Sequence, residues 1–127
     1  MGENHPDVEL RIPADSAYLA VLRTATAGLA ARLDFTLDDI EDLRIAVDEA
    51  CAMVLPQARE NSDLTCTFDL SAAKLTVAVT AQCDAPRPPN RDGFAWTVLS
   101  ALTNEVAAEV HGDRLTVTLA RGTADSE

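Results

Sequence analysis

The chain has 127 residues, 47% of them hydrophobic but only 4% aromatic, and a formal net charge of -11 from 10 Lys+Arg against 21 Asp+Glu. This is one domain's length of chain, with enough Leu, Val, Ile and Ala for a single core. The acid excess excludes direct grip on a phosphate backbone, which needs clustered cations, and no run of about 20 apolar residues is present to span a bilayer.

Residues 1–7 read as a polar leader, with no basic region ahead of an apolar one and so no signal peptide. Val8, Leu10 and Ile12 alternate with Glu9 and Arg11, a strand period that Pro13 ends. Asp15 or Ser16 caps a first helix running to about Leu33, with Leu19, Leu22, Thr26, Leu29 and Leu33 on one stripe. Thr36 caps a second helix, whose first turns hold Asp38, Asp39, Glu41 and Asp42 at the positive end of the dipole. Its buried stripe is Ile40, Leu43, Val47, Ala50 or Cys51, and Val54, and Pro56 stops it.

Leu64, Cys66, Phe68 and Leu70, then Leu75, Val77 and Val79, alternate with polar residues about a turn at 71–73, which is a hairpin. The stretch "CDAPRPPNRDG" is the one breaker-rich loop. A third helix is expected from Phe94 to about Val106, with Phe94, Val98, Leu102 and Val106 facing the core and Trp96 on another side. A second hairpin turns at His111, Gly112 and Asp113, and residues 122–127 form a tail. The order β-α-α-β-β-α-β-β predicts one domain over 8–121, an α/β two-layer sandwich with a mixed, mainly antiparallel sheet covered by helices on one face.

The three cysteines, Cys51, Cys66 and Cys83, are odd in number and lack C-x-x-C spacing. They suggest neither a disulfide framework nor a metal site, and point to a reduced, cytoplasmic setting. Cys83 opens a loop and is the candidate for an exposed, redox-active thiol. The net charge favours a basic protein partner or simply solubility.

The element order, "LDFTLDDIEDLRIAVDEACAMVL" and "DGFAWTVLSALTNEV" together resemble the RsbW/SpoIIAB-type anti-sigma factors, closest to their divergent actinobacterial members. The likeness runs from Val8 to Leu119. It implies the Bergerat (GHKL, histidine-kinase-like ATPase) fold. In that family the second helix carries Glu-Ala-x-x-Asn, where the Glu is general base and the Asn holds the magnesium of bound ATP; base and ligand must share a face. Glu49 and Ala50 match, and Met53 stands at the Asn position. A thioether is a poor ligand for a hard cation.

The resemblance also places Asp84 near the adenine-reading position and Gly93 at the phosphate-cradling turn, though Pro86, Pro88 and Pro89 replace the family's glycines. It aligns Arg23 with a sigma-engaging arginine, with Tyr18 beside it as a second interface residue. The implied function is sequestration of an alternative sigma factor of stress or sporulation type, relieved by a STAS-domain anti-anti-sigma protein, in a homodimer or a sigma-bound complex. Kinase activity and ATP–Mg binding are expected to be weak or lost. The alternative is an active serine-protein kinase that phosphorylates its STAS-domain antagonist.

Overall fold

Strand-period alternation sets five segments into one sheet in the computed structural model, which describes residues 5–71 and 73–122. They are β1 (Val8–Pro13), β2 (Asp63–Ser71), β3 (Lys74–Gln82), β4 (Glu105–His111) and β5 (Arg114–Gly122). The sheet order is β1-β2-β3-β5-β4, with every neighbouring pair antiparallel. Three helices complete the fold: α1 (Leu19–Arg32), α2 (Leu37–Val54) and α3 (Phe94–Leu102). The two-layer α/β sandwich expected from the sequence is therefore present, with a wholly antiparallel sheet.

Register explains the core. Ile12, Leu64, Ala81 and Leu115 stand in one cross-strand row, and Phe68, Val77 and Leu119 in another. All are buried. Their alternates Thr65, Thr67, Thr76, Thr80, Thr116 and Thr118 lie half-buried on the other face. One side of the sheet thus belongs to the helices and the other is a threonine-rich surface. α2 lies across β3 and β5 and packs against both α1 and α3. Its buried residues are Leu43, Ala46, Val47, Ala50, Cys51 and Val54.

Capping chemistry fixes the helix ends. Asp15 accepts from the Ala17 N–H and starts a 3-10 turn, Ser16–Tyr18, that leads into α1. Thr36 accepts from Asp39 N–H at 3.1 Å and starts α2. At the other end of α1 the Phe35 N–H reaches the Ala30 carbonyl and the Asp34 N–H the Ala31 carbonyl. This is a Schellman closure, with Asp34 at φ 63° in the left-handed position usually given to glycine. The second hairpin pairs His111 with Arg114 and turns on Gly112 at φ 61°. A left-handed first turn residue matches the twist of the flanking strands.

Several expectations are corrected. α3 stops at Leu102, because Thr103 is extended and Asn104 N–H bonds to the Ala120 carbonyl, which turns the chain into β4. Val106 is therefore a strand residue opposite Leu119. The buried face of α3 carries Trp96 and Leu99, while Phe94 is 82% exposed. Cys83 is fully buried: it bridges Ala58, and its N–H donates to the Asp113 carbonyl at 2.7 Å. Residue 7 of the expected leader is tied down, since the Asp7 carboxylate accepts from Leu70 N–H. Gly122, the first residue of the expected tail, ends β5 opposite Lys74, while residues 123–127 and 1–4 lie outside the described residues.

Candidate functional site

α2 carries the residues singled out by sequence, and its turn of about 3.6 residues decides which way each faces. Glu49 and Met53 are four apart and share a flank, both half-buried. Met53 lines a hollow of about 530 Å³ together with Gln57, Arg87, Pro88, Pro89, Asn90, Gly93, Phe94 and Trp96. This hollow lies between the end of α2, the loop after β3 and the start of α3. Of the sequence-chosen residues, Gly93 and Met53 line it directly. Glu49, one turn back from Met53, is not part of its lining.

The loop is pinned over α2 by a side-chain amide acting as a backbone mimic. Gln57 Nε2 donates to the Arg87 carbonyl at 2.9 Å, and Arg87 N–H donates back to Gln57 Oε1 at 2.8 Å. Asn90 Oδ1 accepts from Asp92 N–H. Gly93 sits close under Asn90, where an added Cβ would come within 3.2 Å of the Asn90 carbonyl oxygen. Arg91 lies over the Trp96 ring, 4.8 Å from its centroid. Both side-chain amide oxygens of the lining are therefore already engaged, and no carboxylate lines the hollow.

Asp84 is directed elsewhere. Its side chain is 88% exposed and accepts from Arg59 Nε at 2.9 Å, while Arg59 also pairs with Asp113. The carboxylate partners raise the Arg59 pKa, with the Asp84 hydrogen bond the main cause. The residues of this strand end that turn inward are Ala81 and Cys83, both buried.

Arg23 stands on α1, facing α2. Its Nε donates to Asp48 Oδ1 at 2.8 Å, with both side chains partly exposed. Tyr18 closes the 3-10 turn that precedes α1, so it lies outside the helix that carries Arg23. Tyr18 and Val21 are exposed on the outer side. Two features escaped the sequence reading. One is the Arg23–Asp48 pair, which joins residues 25 positions apart. The other is Arg121, which points inward from β5 to bind Asp39, Asp42 and the Leu102 carbonyl.

The cysteines form no exposed thiol. Burial pushes the Cys51 and Cys66 pKa values up to about 12, with the neighbouring Cys66 and Asp48 adding to the rise at Cys51. Burial also raises Cys83.

The family model for the histidine kinase-like ATPase domain matches residues 12–121. The chain belongs to that family. The serine-protein kinase RsbW of Bacillus cereus (strain ATCC 10987 / NRS 248) is 37% identical over 81 residues, covering 62% of this chain and 51% of its own length. RsbW of Bacillus mycoides (strain KBAB4) is 36% identical over 81 residues, with the same coverage. The chain spans about half the length of these curated relatives. The RsbW-type likeness read from the sequence is borne out, and the fold is that of a histidine kinase-like ATPase domain. No helix among the described residues is long and apolar enough to cross a membrane.

Proposed function

We propose that this histidine kinase-like ATPase domain works as an anti-sigma factor, a binding module rather than a magnesium-dependent kinase. It sequesters an alternative sigma factor of the stress or sporulation type in the cytoplasm and is relieved by a STAS-domain protein. A homodimer or a sigma-bound complex is the working form.

The observation that carries this reading is the chemistry around Met53. Magnesium takes oxygen ligands in near-octahedral geometry and dehydrates reluctantly. The hollow offers a thioether at the family's ligand position, no carboxylate, and two neutral amide oxygens that each already accept one backbone N–H, from Arg87 and Asp92. These residues do not fit a magnesium–nucleotide complex, so no phosphoryl-transfer step is derived through them. Glu49 is then a retained general-base position without its metal neighbour. Gly93 keeps a loop-to-helix role, and Asp84 a partnership with Arg59. Arg23 on α1 and Tyr18 on the 3-10 turn before it remain candidate partner contacts.

The second reading, an active serine-protein kinase acting on a STAS-domain antagonist, is favoured by the retained Glu49 on α2 and by the names of the RsbW relatives. One pair of measurements separates the two. Purified alternative sigma factors of the source organism are passed over immobilised protein, and ATP is titrated by calorimetry with and without magnesium. Retention of one sigma factor with no magnesium-dependent ATP heat is expected. Micromolar ATP binding that needs magnesium, or phosphate transfer to a STAS-domain protein, sinks the binding-module reading.

A further inference from the structure

Arg23 and Asp48 meet at the outer edge of the α1–α2 seam. A guanidinium carries five N–H donors in a planar fork. Asp48 takes one of them, at Nε, by a charge-assisted bond of 2.8 Å. The two terminal nitrogens have no partner among the described residues. Those nitrogens form the end-on edge of the fork, which matches the two oxygens of a carboxylate.

Helix spacing sets mostly small and apolar residues beside the pair, together with Arg44, four before Asp48, which is itself paired with Glu41 at 2.9 Å. Ala20 and Ala27 lie three and four residues from Arg23 on α1, and Ile45 (42% exposed) and Ala52 stand three and four from Asp48 on α2. A long arginine free to sample rotamers loses entropy when a partner fixes it. Here the fixing is done before any partner arrives, which is pre-organisation in the ordinary sense.

We propose that Asp48 is a positioning residue for partner docking: it holds Arg23 through Nε so that the terminal fork faces outward to receive a carboxylate flanked by apolar side chains. The inference rests on the sigma-binding reading of Arg23 given above. It specifies the partner's contact as an acidic side chain, set on an apolar patch of its docking surface. The general field of a chain with net charge -11 repels acidic surfaces. A partner that meets this fixed cation is therefore selected by local geometry against others that carry acid elsewhere.

The test uses the sigma factor retained by the wild-type chain, with binding read by surface plasmon resonance and thermal melts as the folding control. Asp48→Ala weakens binding about tenfold, and Asp48→Asn keeps most of the affinity, because an amide oxygen still accepts from Nε. Arg23→Lys alone binds as poorly as Arg23→Ala, because its single ammonium is captured by Asp48. The double variant Arg23→Lys/Asp48→Ala regains part of the loss, because that ammonium is released to the partner. Removal of the same carboxylate thus weakens binding beside Arg and strengthens it beside Lys, a reversal that a merely structural Asp48 does not produce. An Asp48→Ala variant that binds as well as or better than wild type overturns the inference while sigma binding stands. So does a double variant no better than Arg23→Lys. A wild-type chain that retains no sigma factor overturns the function proposed above and this inference with it.

Discussion

Removing the Arg121 guanidinium should unfasten three elements at once. Arg121 leaves the sheet on its helix side, opposite Leu75. Its Nη2 bonds Asp39 Oδ1 at 2.8 Å and Asp42 Oδ2 at 3.1 Å, and its Nη1 donates to the Leu102 carbonyl at 2.6 Å. The first two contacts secure the start of α2 and the third the end of α3. Arg121→Ala leaves two carboxylates and a helix-terminal carbonyl without their donor. Stripping one partner from a fully buried ion pair costs about 3–5 kcal/mol. The side chains here are 19%, 16% and 38% exposed, so water compensates in part and the expected loss is about 2–3 kcal/mol. With a urea slope of roughly 1.5 kcal/mol per M, the midpoint should fall by about 1.3–2 M. Arg121→Met, which keeps the aliphatic stem, should lose nearly as much.

The same loss carries a pH signature. The hydrogen bond from Arg121 holds the Asp39 carboxyl below its ordinary 3.8. A depressed carboxylate pKa contributes stability that is full above the unfolded value and disappears as pH falls through the folded one. The gap between wild type and Arg121→Ala should therefore be constant above about pH 5 and narrow steadily below about pH 4. A midpoint within about 0.3 M of wild type at neutral pH would refute the argument, as would a gap that persists unchanged into acid.

Two left-handed residues should respond in opposite directions. Asp34→Gly should stabilise by about 1 kcal/mol, and Gly112→Ala should destabilise by a similar amount despite open space around the site, because only φ is at issue; denaturant melts decide both. All three thiols should resist a thiol reagent at mildly alkaline pH in the native state and react together once urea unfolds the chain, since each is buried with a raised pKa. Fast labelling of one native thiol would contradict that. Gln57→Ala removes both bonds to the Arg87 backbone, so trypsin cleavage after Arg91 should quicken by about tenfold. An unchanged rate would mean that the loop is held by other contacts.

Local chemistry made much of the fold readable. Asp15, Thr36 and Gly112 act at short range, and each stands where its side chain or its freedom of φ sets the chain direction. The α2 stripe was legible because a long amphipathic helix repeats its signal over five turns. α3 was not, because nine residues carry too few periods to choose between Phe94 and Trp96 as the inward side. The choice is made by packing against α2. The burial of Cys83 and the inward turn of Arg121 depend on Asp113, Ala58, Asp39 and Leu102, all far away in sequence. At the site, the match at Glu49 and the change at Met53 were legible only through the resemblance to the anti-sigma family. The engagement of Gln57 with Arg87 and of Asp84 with Arg59 was not, since neither leaves a pattern along the chain.

The sheet order has a consequence for how the chain reaches this shape. β2 and β3 join across a tight turn, and so do β4 and β5, so each hairpin can zip by itself within microseconds. The β3–β5 ladder is different: it pairs Gln82 with Arg114 and Lys74 with Gly122, and everything between those partners must be looped out before the first bond forms. Closing that seam is a long-range step, and the β1–β2 ladder, whose nearest partners are Pro13 and Asp63, is longer-range still. The loop from Cys83 to Gly93, together with α3, is the tether that fixes the effective concentration of one hairpin around the other. A chain interrupted there would still hold two intact hairpins, with their meeting changed from an internal event to an encounter.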